Sequence, residues 1–295
     1  MTQVVKAKHI IGDIVLDEHG TIVAHPSKKQ VPLADSDSWP RVLKAVKDPR
    51  FFTSFRENNI AFTKKQVKES VSPDQFIIQS ISAIEELDRL ANMLSKRLRE
   101  WAGWWVPETS RILHDHASFA RAVAEQDQQT LLAEARETPE HSMGAVLSEK
   151  DIAPIKAQAA AICQAAATRL QHESYLKSVM QEACPNLTCL AGHMIGAKLL
   201  AHAGSLRRLA EMPSSTVQML GAEKALFRHM RTGARPPKYG VIFSHPLIQS
   251  GKRADQGRIA RAIADKISIG VRVDFFKGRF VGDRLKNELE LRFHA

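Results

Sequence analysis

Ile77, Ile84, Ala91, Leu98 and Trp105 recur every seven residues, with Leu87, Leu94 and Trp101 three positions after Ile84, Ala91 and Leu98 in their own heptads. A sustained seven-residue apolar repeat is the seam of a coiled coil. Ser72-Pro73 opens the arm with a residue able to cap the first turn and a proline tolerated at the first helical position. At 1.5 Å per residue the arm is about 43 Å long. A second long helix is predicted from about Asp151 to Ala183, with Ile155, Ile162 and Leu176 on one seven-residue track and the small Ala159 and Ala166 beside it. Between the arms, Pro107 to Lys150 holds short helical stretches broken at Pro139 and Ser142-Met-Gly144, so the chain reverses at a helical tip and the arms form an antiparallel hairpin. Ile84, Leu94, Leu98, Ile155, Ile162 and Leu176 are the seam residues, and self-association through them stands beside pairing of the two arms with each other.

Ahead of the hairpin, Ile10 to Ala24 reads as two β-rich runs joined by a turn at Asp17-Glu-His-Gly20. Short amphipathic pieces follow at Ser38 to Val46 and Pro49 to Arg56, and Ile60-Ala-Phe-Thr63 is a candidate strand. Behind the hairpin the pattern is helical, with Gly204 placed as a C-cap, Pro213-Ser-Ser-Thr216 as a helix start and Arg235-Pro-Pro237 as a break. The predicted organisation is mainly α. It comprises a short α/β N-terminal domain over residues 1–71, an antiparallel coiled coil with a helical tip over 72–184, and an all-helical domain over 185–295.

Charge changes this picture, because residues 1–191 carry 23 Lys and Arg against 24 Asp and Glu, whereas residues 192–295 carry 19 against 8. The whole net charge of +10 therefore resides in the C-terminal third, where release of counterions from a phosphate backbone converts it into affinity. No apolar run reaches the roughly 18 residues of a membrane span and Met1 to Ile11 has no signal-peptide core, so a cytoplasmic protein without membrane association is expected. Cys163, Cys184 and Cys189 form no CxxC pair and suit a reducing compartment.

Candidate chemistry is sparse. His114-Asp-His116 places two imidazoles at i and i+2, which diverge on a helix, and Cys184-Pro-Asn-Leu-Thr-Cys189 with His193 lacks a fourth ligand. No P-loop, GxGxxG, HExxH or GxSxG occurs. Neither a catalytic residue, a cofactor nor a metal is expected, and the chain reads as a binding protein and not an enzyme. Lys224, Arg228 and Arg231 fall at helical spacings of four and three, Arg235 and Lys238 extend that cationic stripe beyond the break, and Arg258 and Arg261 share a second helical face. A solvated face is the commoner origin of such a stripe. Here only Glu211, Glu223 and Asp255 oppose 12 basic residues between Lys198 and Arg261. Duplex DNA fits the charge, but these clusters have no ladder of aromatics for stacking bases, which favours a structured RNA read by shape and backbone.

Gly196 to Leu206, Met212 to Thr216, Gly221 to Lys238, Gly240 to Phe243, and Arg258-Ile-Ala-Arg261 through Arg272-Val-Asp274 together resemble a Nop domain. Ile77 to Pro107 resembles the same family's first coiled-coil arm, and Ile14 to Val23 its N-terminal opening. The resemblance implies an archaeal-type scaffold of box C/D small ribonucleoproteins that binds a kink-turn RNA jointly with a small kink-turn-binding protein. It also implies a coiled coil that self-associates as a homodimer and an N-terminal domain that holds fibrillarin, the methyltransferase of guide-directed RNA 2'-O-methylation. The expected RNA-binding residues are Gly221, Ala222, Glu223, Lys224, Arg228, His229, Arg231, Arg235, Lys238, Arg258 and Arg261, with Gly221 allowing close backbone approach. Residues 1–71 are shorter than the family's usual N-terminal domain, which keeps open a second reading, a fibrillarin-independent binder of kink-turn complexes like the spliceosomal member. The sequence ends at Leu291-Arg-Phe-His-Ala295 with no Lys/Glu-rich extension, and a prokaryotic cytoplasm is expected.

Overall fold

The computed structural model describes residues 5–9, 12–16, 39–47, 49 and 52–293, and the chain divides into two compact units, Met1–Ser72 and Pro73–Ala295. In the first, β1 (Val5–His9) pairs antiparallel with β2 (Gly12–Leu16) in a register running from Val5 opposite Leu16 to His9 opposite Gly12. The expected hairpin shares with this sheet only its first run. Its turn at Asp17–Gly20 and its second run to Ala24 lie outside the described residues. Two helices follow, α1 (Trp39–Val46) and α2 (Phe52–Glu69). The candidate strand Ile60–Thr63 is corrected by the structure: it lies inside α2. Three β-prone residues, with the helix-favouring Ala61 among them, do not outweigh the flanking Glu57, Lys64, Lys65 and Gln66, which are better helix formers.

In the second unit α3 (Pro73–Ala102) and α7 (Glu149–Ala183) run antiparallel, joined through three short tip helices, α4 (Thr109–Ile112), α5 (His116–Glu125) and α6 (Gln128–Glu134). Asp115 and Asp127 cap α5 and α6, accepting the Ser118 and Thr130 N–H groups at 2.8 and 2.9 Å. The heptad seam is dry at its two ends. At the tip, Leu98, Ala102, Trp105, Phe119, Val123, Leu131, Ile155, Ala159 and Ile162 form one core. At the root, Ile77, Ile81, Ile84, Leu176 and Met180 merge with the C-terminal helices in another.

The middle of the stem is held by polar contacts. Arg169 donates to Asp88 at 2.7 Å and to Glu173 at 2.6 Å, and Gln158 Nε2 donates to the Leu94 carbonyl at 2.9 Å. The six residues expected to mediate self-association pack within one chain: Ile84, Leu98, Ile155, Ile162 and Leu176 are buried and Leu94 is half-buried against the tip core, so they join the two arms of the hairpin. The heptad pattern is the same for either outcome, which is why spacing alone left both open.

The remaining helices are α8 (Pro185–Ala203), α9 (Leu206–Glu211), α10 (Ser214–Met219), α11 (Glu223–Thr232), a 3-10 turn at Val241–Ser244, α12 (Pro246–Ser250), α13 (Gln256–Phe275) and α14 (Gly282–Phe293). Ile259, Ile263, Ile267 and Val271 recur at four-residue spacing, so α13 turns one apolar face into the core, each side chain contributing about 2 kcal/mol. Gly192 (φ 76°) breaks α8. Beside the break the buried His245 donates from Nε2 to the Leu190 carbonyl at 2.9 Å and accepts the Leu247 N–H on Nδ1 at 3.2 Å, capping α12. At the other end of α13, Asp274 accepts three N–H groups from the first turn of α8. Among the described residues no helix is long and apolar enough to cross a membrane.

Candidate nucleic-acid interface

α11 buries no residue, and two glycines set how it leaves the body. Gly221 adopts φ +84°, and a Cβ there would meet Val241 Cγ2 at 2.5 Å. At Gly240 a Cβ would fall 1.9 Å from the Leu220 carbonyl oxygen. The close approach these glycines permit lets residues 240–241 donate their N–H groups to the Gln218 and Leu220 carbonyls at 2.9 and 2.7 Å. The close backbone approach expected at Gly221 is here one between segments of the chain itself.

Glu223 turns back to accept the Gly221 N–H at 2.7 Å and lies 3.7 Å from His202 Nδ1. Partial burial works to raise its pKa, and the backbone N–H groups of Gly221 and Glu223 outweigh it, holding the carboxyl below its ordinary value. It is therefore an anion that fixes the first turn of α11. His229 is likewise occupied: its Nδ1 faces the Ala234 carbonyl, beside Gly233 in the left-handed region (φ 68°). Ala222 is half-buried at the N-cap position.

Lys224, Arg228, Arg231, Arg235 and Lys238 are all exposed, and none of them forms an ion pair among the described residues. The structure joins the two cationic clusters through Lys238. Its stem lies 3.6 Å from where a Cβ on Gly257 would stand, and its Nζ reaches the Arg253 carbonyl at 3.5 Å. Arg258, next in the chain, is exposed and salt-bridged to Asp255 at 3.1 Å, and Arg261 is exposed one turn on. Tyr239 secures this junction by stacking on Phe243 at 4.7 Å and donating its hydroxyl to Gln256 Oε1 at 3.0 Å. Facing inward under the arginines are Ile259, Ala260 and Ile263, with Ala262 only half-buried.

Two residues escaped sequence reasoning. Phe227 and Met230, one turn apart on α11, are 61% and 71% exposed. In an amphipathic pattern they pass for the buried face of the helix, and only the fold, which half-covers Ala225 and Leu226 instead, reveals them as surface. Of the His and Cys residues weighed as metal ligands, His116 Nδ1 accepts from Arg99 at 3.3 Å, Cys184 is buried with its thiol pushed by burial up to about 12, Cys189 lies beside Asp283, and His193 faces Glu173.

A long helical hairpin rooted in an all-helical domain, with an exposed cationic helix on that domain, defines the class of Nop-domain proteins. The family model described as Nop, snoRNA binding domain, fibrillarin, matches residues 83–295, and the chain belongs to this family. It is 38% identical over 245 residues to an uncharacterized NOP5 family protein of Methanocaldococcus jannaschii, a match covering 78% of this chain and 59% of that protein. It is 42% identical over 217 residues to nucleolar protein 58 of Candida albicans, covering 69% of this chain and 42% of that one. The chain thus spans about half the length of these relatives. A crystal structure of a fibrillarin/Nop5p complex contains a chain of similar fold, with TM-score 0.50 and 23% identity over 98% of each chain.

Proposed function

We propose that the chain is an RNA-binding scaffold of a box C/D-type small ribonucleoprotein, not an enzyme. In this reading α11 and the first turns of α13 grip a kink-turn RNA together with a small kink-turn-binding protein, and the scaffold supports fibrillarin in guide-directed 2'-O-methylation. The observation that carries it is the make-up of α11: a row of cations without ion pairs among the described residues beside two exposed apolar side chains, on a helix that buries none of its residues fully. Cations alone suit phosphates. Phe227 and Met230 suit a protein surface lying against the same RNA, so the helix is built for a composite partner. Lys224, Arg228, Arg231, Arg235, Lys238, Arg258 and Arg261 serve as phosphate contacts, while Gly221, Ala222, Glu223 and His229 act through the shape of the helix and its ends.

The family description, which names fibrillarin, supports that partner. Co-elution of the full chain with fibrillarin supports it, and no complex at micromolar concentration favours the fibrillarin-independent reading. For the RNA face, the Lys224→Ala/Arg228→Ala/Arg231→Ala triple variant is compared with the parent in native gels over a range of salt. Loss of three phosphate contacts lowers the salt slope of binding by about 2.7, with the melting temperature unchanged. An unaltered slope excludes α11 from the interface.

A further inference from the structure

We propose that the turn Phe276-Lys277-Gly278-Arg279-Phe280, at the opposite end of α13 from the Lys238–Arg258 junction, is a second RNA contact. It takes unpaired nucleotides by stacking bases on its phenylalanines and seating phosphates on its cations. This rests on the reading that RNA is the ligand of the α11 face, and it places a separate contact about 30 Å away along the 20 residues of α13.

Phe276 and Phe280 are 77% and 51% exposed, Phe276 supported edge-on by Phe275 at 5.0 Å. Lys277 and Arg279 between them are exposed and form no ion pair among the described residues, whereas the neighbouring Glu288 is engaged by Lys266 and Arg284. Single exposed apolar side chains are ordinary on a protein surface. Two aromatic rings flanking two exposed cations inside five residues form the combination that binds single strands, an aromatic face for any base and a positive charge for its backbone.

The backbone supplies an independent sign. α13 ends in a Schellman motif, Gly278 N–H donating to the Val273 carbonyl at 2.8 Å and Lys277 N–H to Asp274 at 3.2 Å. The left-handed position of that motif, where glycine is the residue without strain, is held by Lys277 at φ 52°. A cation therefore stands where glycine would be free of strain. The turn is also pre-organised, since the buried Asn186 clasps both its ends. Asn186 Nδ2 donates to Asp274 Oδ1 at 2.7 Å, and its Oδ1 accepts the Val281 N–H at 2.7 Å. A fixed presentation lowers the entropy lost when a flexible strand docks.

The probe is an unstructured RNA 12-mer of uridines carrying 5-iodouridine, with the full chain, read by fluorescence anisotropy and by photocrosslink mapping. The crosslink is expected in the peptide holding Phe276 to Phe280. Phe276→Ala weakens binding about tenfold, the size of one lost stacked base. Lys277→Gly lowers the salt slope by about 0.7 without lowering the melting temperature, because glycine takes the left-handed position freely. Crosslinks confined to α11, or unchanged affinity in both variants while kink-turn assembly proceeds, overturn the inference alone. If neither the 12-mer nor a kink-turn RNA binds, the reading beneath it fails. Binding to phosphatidylserine vesicles that is lost in Phe276→Ala, with the 12-mer unaffected, also overturns it in favour of a membrane contact.

Discussion

Removing Asp274 tests the tie that holds α8, α13 and the following turn together. Oδ1 accepts the Asn186 backbone N–H at 3.1 Å and its side-chain Nδ2 at 2.7 Å, and Oδ2 accepts the Leu187 N–H at 2.9 Å. The two backbone donors belong to the first turn of α8, where no helical carbonyl can serve them. Truncation to alanine strands three donors in a buried site, each worth about 1–3 kcal/mol unpaired. Part of that is offset, because burial already pushes the carboxyl's pKa up against its hydrogen bonds. The net expectation for Asp274→Ala is about 3 kcal/mol, a fall of roughly 6–12 °C in a unit of this size. Asp274→Asn keeps one accepting oxygen and costs about half as much. The assay is guanidinium and thermal unfolding followed by far-UV circular dichroism, with Glu211→Ala as reference. Glu211 meets Arg207 at 3.0 Å with both side chains mostly exposed, and its loss costs about 0.5 kcal/mol or less. An Asp274→Ala variant no less stable than Glu211→Ala would refute the reasoning.

Gly221→Ala forces a side chain into the left-handed region against Val241; unfolding curves are expected to register a loss of about 1–3 kcal/mol, and RNA binding falls through distortion of α11. His245 gives a pH signature: burial lowers its pKa from the ordinary 6.5, opposed by its bond to the Leu190 carbonyl. A depressed imidazole pKa means the unfolded chain takes up more protons, so the contribution is complete above pH 6.5 and is lost as pH falls below it. The denaturation midpoint of the parent should drop over that window more than that of His245→Asn, which keeps a cap for α12 without a titrating ring; parallel curves would remove His245 as the cause.

The stem was legible because α3 and α7 carry their burial pattern in the spacing of Ile77, Ile84, Leu98, Ile155, Ile162 and Leu176. That pattern states that a seam exists and not which chain supplies its other side. Ile60–Thr63 misled because four residues are too few to distinguish a strand from part of a helix. In the candidate interface the cations were legible from spacing and from the scarcity of acids. The tasks of Gly221, Glu223 and His229 were not, since each depends on a partner brought by the fold: Val241, the Gly221 N–H with His202, and the Ala234 carbonyl. Lys277 in a glycine position was likewise invisible, because nothing local in Phe276-Lys277-Gly278 specifies which of the two residues takes positive φ.

The composite grip proposed for α11 makes one demand that neither a simple basic patch nor a structural coiled-coil protein makes. Binding of a kink-turn RNA is measured by anisotropy with and without the small kink-turn-binding protein, across a salt series. The account predicts weak binding to bare RNA, at least about tenfold tighter binding once the kink-turn protein is present, and a steep fall with salt. Equal affinity with and without that protein would contradict it.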